Sequence, residues 1–321
     1  MTAHVALDPE LAAALQQALP GPSALLDFTD MPASRTRMAA RRPLLPPGEA
    51  VAVHDRLVPG PAGAPEIRLR IYRPRAVPAA QTMLPALYWI HGGGMVMGNL
   101  DGDNARLSEV VEQVGCVAVS VEYRLAPENP HPAPVEDCYA GLVWTAAHAD
   151  ELGIDAARLA LGGASAGAGL AAATALLARD HGGPALVFQL LIYPMLDDRN
   201  LTPSSYEITD VGIWDRATNI GGWTALLGEQ VGTDAVSPYA APARARDLSR
   251  LPAAFIDVGT ADLFRDEDID YAQRLMQAGT PTELHVYPGA FHGFDGMAPG
   301  ARLTVVARAA RIVALRHALQ G

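Results

Sequence analysis

The pentapeptide Gly163-Ala164-Ser165-Ala166-Gly167 directly follows the apolar run Leu159-Ala160-Leu161-Gly162 and opens the alanine-rich stretch Ala166 to Ala178. A strand that turns into a helix within one residue is a severe constraint, because a serine at the apex is strained and tolerates only small neighbours. Gly163, Ala164, Ala166 and Gly167 meet that demand. The turn would present the Ser165 hydroxyl at the carboxyl end of a strand. It would also leave the amide of Ala166, in the first turn of the helix, facing the same point.

From Pro85 onward, short β-rich runs alternate with longer helical ones, the sequence form of a parallel sheet covered by helices on both faces. Strands are predicted at Ala86–Ile90, Val117–Val121, Leu159–Gly162, Leu186–Ile192, Ala254–Val258 and Glu283–Tyr287. Helices are predicted at Asn104–Val114, Val135–His148, Ser165–Arg179, Asp266–Ala278 and Arg302–Leu319. Upstream, Val51–Val58 and Ile67–Tyr72 flank a turn rich in glycine and proline, which predicts an antiparallel hairpin leading into the sheet. The expectation is an α/β fold with an eight-stranded, mostly parallel sheet.

Two regions break the alternation. Residues 1–48 open with an amphipathic helix, Pro9–Leu19, and are interrupted at Pro20-Gly21-Pro22 and again from Pro43 to Pro47. Residues 197–227 form a long excursion between two strands and carry Trp214 and Trp223. Insertions of that size are commonly lids or binding elements. Both are expected to cap the site, with residues 49–321 forming the catalytic domain.

With 321 residues, 50% hydrophobic and 18% charged, the chain can bury one large core and is not of disordered composition. The net charge of −11 argues against a nucleic-acid partner. The densest basic run, Arg35 to Arg42, is expected to be a solvated surface. Two cysteines, Cys116 and Cys138, provide no disulfide framework and read as buried apolar residues. Asp8 and Glu10 near the start do not fit a secretory signal, and no stretch approaches the roughly 18 apolar residues of a membrane span. A soluble cytoplasmic protein is expected.

A serine hydroxyl needs a base to take its proton and a third group to hold that base in the correct tautomer. Asp262 follows the strand Ala254–Val258, and His292 follows the strand Glu283–Tyr287, both at carboxyl ends where catalytic groups of open α/β sheets gather. The nearby acids Asp266, Glu267, Asp268 and Asp270 start the next helix instead, where the dipole favours them. Of the nine histidines only His292 is so placed. After the strand Ala86–Ile90 comes His91-Gly92-Gly93-Gly94, whose glycines let the backbone turn its amides toward a bound carbonyl oxygen. No G-x-x-x-x-G-K-[ST] is present and no G-x-G-x-x-G opens a helix with a partner acid, so a nucleotide loop is disfavoured.

Together with Glu122-Tyr123-Arg124-Leu125-Ala126-Pro127-Glu128, Pro132-Ala133-Pro134-Val135-Glu136-Asp137 and Asp262-Leu263-Phe264-Arg265-Asp266-Glu267, these motifs resemble the hormone-sensitive-lipase-like branch of the α/β-hydrolase superfamily. The resemblance extends over nearly the whole chain from Tyr72. It implies a carboxylesterase with the triad Ser165, Asp262 and His292, oxyanion donors at Gly93, Gly94 and Ala166, a turn shaped by Gly92, and His91 as a structural support of the loop. Ala164 stands where relatives often have Asp or Thr, and Leu263 where they often have Pro.

The resemblance further implies a small-molecule ester as substrate, no metal and no organic cofactor, and pairing of relatives into homodimers through the sheet edge and the last helix. Met95, Met97, Trp214 and Trp223 either line an apolar pocket for acyl chains of short to medium length or simply pack. An amidase or peptidase with the same triad stays open. A non-catalytic ligand binder of the same fold is disfavoured, because such relatives lose the histidine.

Overall fold

The computed structural model describes residues 6–18, 26–41, 44–77 and 83–320. Leu19, the break at Pro20-Gly21-Pro22, Arg42 and Pro43 lie outside them. Among these residues lie eight strands: β1 (Val51–Val58), β2 (Ile67–Pro74), β3 (Leu84–Ile90), β4 (Val117–Glu122), β5 (Ile154–Ala164), β6 (Phe188–Ile192), β7 (Ala253–Ala261) and β8 (Thr282–Phe291). The helices are α1 (Pro9–Ala18), α2 (Met31–Arg41), α3 (Asn104–Val114), α4 (Ala133–Ala147), α5 (Ala149–Leu152) and α6 (Ala166–Asp180). They continue with α7 (Pro203–Glu207), α8 (Arg216–Leu227), α9 (Arg265–Gln277), α10 (Phe294–Met297) and α11 (Arg302–Gln320).

The strands form one sheet in the order β1-β2-β4-β3-β5-β6-β7-β8, parallel from β4 to β8, with β2 antiparallel to both its neighbours. The hairpin expected from Val51–Val58 and Ile67–Tyr72 is therefore present and joins the sheet through β2. Alternate side chains divide between the two faces. In β3, Leu84, Ala86, Tyr88 and Ile90 join the core on one face, while Leu87 and Trp89 join the core on the other. Both faces are covered, which is why the run reads as continuously apolar.

Helix α6 is buried at every position from Ala166 to Ala178. Its alanines and glycines let the sheet and the segment after β6 approach closely; a Cβ at Gly169 would overlap the carbonyl of Met195. The chain passes from β3 through α3 to β4 on one side, whereas β5 lies on the other side of β3. The loop after β3 and the turn after β5 therefore diverge at a topological switch point, where open α/β sheets bind ligands.

Two expectations are corrected. The strands before Asp262 and His292 run further than Val258 and Tyr287, reaching Ala261 and Phe291 through an irregularity in their pairing. Pro288 is accommodated because β8 is an edge strand and needs no amide there. The N-terminal region also contains a second helix, α2, and Arg35 on it turns inward rather than into solvent. Both cysteines are buried, and burial pushes the Cys116 thiol up to about 12. No helix among the described residues is long and apolar enough to cross a membrane.

Candidate active site

Ser165 takes up φ 58° and ψ −124°, a region an L-residue occupies only when its surroundings enforce it. The enforcement is in the backbone. The Ser165 amide donates to Ile192 O at 2.8 Å, and its carbonyl accepts from Ala168, Gly169 and Met195 at 3.0–3.1 Å. The turn is possible because helix α6 nearly touches β3: a Cβ on Gly167 would overlap the carbonyls of Ile90 and His91.

Asp262 and His292 each follow directly on a strand, and the adjacency of β7 and β8 brings them together. The Ser165 hydroxyl lies 2.8 Å from His292 Nε2, and His292 Nδ1 lies 2.8 Å from Asp262 Oδ2. Asp262 is fully buried, and its Oδ1 accepts the amide of Phe264 at 3.0 Å. The rings of Tyr193 and Phe264 stand steeply inclined to the imidazole, with centroids 4.8 and 5.0 Å away. These contacts leave the ring little room to swing.

The glycine loop lies against the elbow, since a Cβ on Gly92 would stand 2.7 Å from Ala164 O and 3.4 Å from Ser165 Cβ. Gly94 has φ +62° and lies under Trp214, whose ring a Cβ would overlap. The amides of Gly93, Gly94 and Ala166 donate to no partner among the described residues. His91 is buried and stacks on Tyr123 at 4.3 Å, with its Nδ1 2.9 Å from Gly92 O; burial lowers its pKa and keeps it neutral. Tyr123 donates its hydroxyl hydrogen to His91 O, and Arg124 grips the buried Asp137 with two nitrogens. The Tyr123-Arg124 motif thus supports the glycine loop from behind.

Met95, Trp214 and Trp223 are buried in the same large apolar core, and Met97 packs against that core partly exposed. Trp214 is fixed by donating to Asn219 Oδ1 at 3.0 Å. A separate cleft of about 690 Å³ opens along α4 between Pro59, Tyr139, Trp144 and His181. It is mainly apolar, and none of the residues around Ser165 lines it.

Several supporting groups escaped the sequence reading. Tyr193 donates to Asp295 Oδ1 at 2.7 Å, and Arg311 joins Asp295 to Asp257 within the buried layer behind His292. Burial would raise the Asp295 carboxyl, but Arg106 and Arg311 outweigh it and hold the group well below the usual range. Their signal was faint, since an arginine in a helix and an acid after a histidine carry no periodicity. Glu267 is buried and accepts the amides of Leu196 and Asp197, so the helix dipole alone does not account for it.

Asp268 is buried with neither carboxylate oxygen partnered among the described residues, and burial raises its pKa well above the ordinary value of 3.8. An acid that keeps its proton longer in the folded state than in the unfolded chain makes folding less favourable as pH rises above about 4. Asp268→Ala should therefore stabilise the protein at pH 8 by about 1–3 kcal/mol, the penalty of an unsatisfied buried group. The gain should shrink toward pH 4. Urea unfolding at the two pH values checks this, and a gain that grows on acidification would contradict it.

A profile of the α/β-hydrolase-fold family matches residues 87–296. Esterase LipI of Mycobacterium tuberculosis is 38% identical over 317 residues, covering 98% of this chain and 96% of its own length. The ethyl acetate hydrolase of Pseudomonas putida is 32% identical over 232 residues, 71% of each chain. Among solved structures, a bacterial heroin esterase superposes with a TM-score of 0.93 at 41% identity over the full length of both chains. With this architecture and these relatives, the chain belongs to the α/β-hydrolase-fold family, in its hormone-sensitive-lipase-like branch of carboxylic ester hydrolases.

Proposed function

We propose that the protein hydrolyses short- to medium-chain acyl esters through Ser165, His292 and Asp262. The observation that carries this reading is the unbroken relay from Ser165 Oγ to His292 to the buried Asp262, with 2.8 Å at both links. His292 takes the hydroxyl proton as Ser165 attacks the ester carbonyl. Asp262 holds the imidazole and stabilises its charged form. The amides of Gly93, Gly94 and Ala166 receive the negative oxygen of the tetrahedral intermediate, each worth on the order of 3 kcal/mol. His292 then protonates the departing alcohol, and water repeats the sequence on the acyl-enzyme. His91 and Gly92 serve by shaping the loop.

The N-terminal segment and residues 197–227 form the cap in this reading. Phe28 packs on Gly221 of α8, Trp214 lies on Gly94, and Ile213 touches Gly293. Trp214 bounds the acyl side together with Met95, Met97 and Trp223, and a fixed indole favours short chains. The relative named for ethyl acetate supports a small ester.

The test is a set of esters of one alcohol with acetyl, butanoyl, hexanoyl and dodecanoyl groups, run beside a matched amide. The expected kcat/KM is highest among the short chains and falls about tenfold or more at dodecanoyl, since each methylene excluded from a pocket costs up to a few kcal/mol. A phosphonate should label Ser165 alone. Equal turnover of amide and ester would replace this reading with the amidase one. Absence of labelling in folded protein would make it a binder.

A further inference from the structure

Arg35 belongs to α2, yet its guanidinium reaches the loop that follows β3. Its Nε donates to Val96 O at 2.7 Å, across 61 residues of sequence, and Nη2 donates to Ala126 O at 2.8 Å. Nη1 and Nη2 also grip Glu128 at 2.8 and 2.7 Å. Glu128 and Ala126 belong to the Tyr123-to-Glu128 motif, so one side chain ties three parts of the chain together.

The loop it holds is strained. Gly93 O accepts the amides of Val96 and Met97, which closes a tight turn, and Met95 inside that turn has φ +61°. A non-glycine residue in that region stays there only while its neighbours compel it. Two ties reach the turn from outside: Ala126 N donates to Met95 O at 2.9 Å, and Arg35 holds Val96 O. Arg35 also grips the carbonyl of Ala126 itself at 2.8 Å, so it makes one tie and contacts the residue that makes the other.

The ion pair with Glu128 contributes little by attraction, because Glu128 is about half exposed. Its effect is geometric. A planar guanidinium gripped by a carboxylate presents its remaining N–H groups in fixed directions, which an ammonium cannot do.

We infer that Arg35 is a positioning residue for the oxyanion loop, so that docking of α2 sets the Gly93 and Gly94 amides and ester turnover is coupled to closure of the N-terminal segment. This rests on the esterase reading above. Leu26 and Met31 supply the burial that docks the segment, and Arg35 transmits the docking to the amides. Arg37, two residues further along α2, donates to Ser34 Oγ instead and makes no hydrogen bond to the loop among the described residues.

The experiment compares wild type, Arg35→Met, Arg35→Lys and Arg37→Met on a butanoyl ester and on its thiono counterpart, in which sulfur replaces the carbonyl oxygen. Sulfur accepts hydrogen bonds poorly, so the ester-to-thionoester rate ratio reports on the amides directly. Arg35→Met should lower kcat about 30-fold with KM changed less than about threefold, as a sub-ångström displacement of preorganised donors does. The rate ratio should fall by a similar factor. Arg35→Lys should show a smaller loss in the same direction, and it carries the test if Arg35→Met does not fold. Arg37→Met should match wild type. An Arg35→Met or Arg35→Lys enzyme with unchanged kcat, or with equal losses on both substrates, overturns the inference. An inert wild type would instead overturn the esterase reading beneath it.

Discussion

Ser165→Ala should reduce ester turnover by at least about three orders of magnitude while leaving the fold intact. The hydroxyl has one hydrogen-bond partner among the described residues, His292 Nε2. Every contact that enforces the elbow is made by the backbone of residue 165 instead, through Ile192 O, Ala168 N, Gly169 N and Met195 N. Alanine pays the same strain at φ 58° as serine does, since both carry a Cβ. Nothing that holds the turn is lost with the oxygen, so the melting temperature should stay within a few degrees of wild type. The residual rate measures what the loop amides and substrate binding achieve without a nucleophile. A variant with more than a tenth of the wild-type rate would show that Ser165 is not the attacking group, and a variant that unfolds would show that the hydroxyl carries structure.

The sheet and the chemical groups were legible in the sequence because each leaves a local mark. Apolar runs of four to eight residues alternate with helical stretches, and Ser165, Asp262 and His292 stand within a few residues of the ends of such runs. The elbow is marked more sharply still, because the approach of α6 to β3 excludes any side chain at Gly167. What escaped is of another kind. Arg35 reads as one arginine in a basic run, and nothing nearby reveals that its partners lie 61 to 93 residues away. The brace of Asp257, Asp295 and Arg311 behind His292 joins three elements that only the topology brings together. Pro288 and Gly289 look like strand breakers, yet β8 continues past them because its pairing with β7 skips these positions and resumes at Phe291. Local sequence thus records what a residue does to its own backbone, whereas contacts across the sheet and from the N-terminal segment emerge only when the chain is folded.

That distinction bears on Asp262, whose identity is marked locally but whose function depends on a contact fixed by its neighbours. Asp262→Asn should lower kcat about 10⁴-fold, although the substitution changes neither volume nor burial appreciably. Oδ1 of Asp262 accepts the amide of Phe264 at 3.0 Å, and Oδ2 faces His292 Nδ1 at 2.8 Å. An asparagine has one acceptor oxygen and one donor nitrogen at these two positions. Because the Phe264 amide can only donate, it claims the oxygen and turns the NH₂ group toward His292. Nδ1 must then accept, which moves the imidazole hydrogen to Nε2, the atom that has to take the proton of Ser165. The base is disabled without being displaced. Two neighbouring acids are already engaged elsewhere: Asp266 is held by Arg265 and the Ser204 amide, and Glu267 by the amides of Leu196 and Asp197. Steady-state kinetics of the folded variant, with the ¹⁵N chemical shifts of the His292 ring reporting its tautomer, checks both halves of the prediction. Turnover within tenfold of wild type, or a ring that still carries its hydrogen on Nδ1, would remove Asp262 from the orienting role.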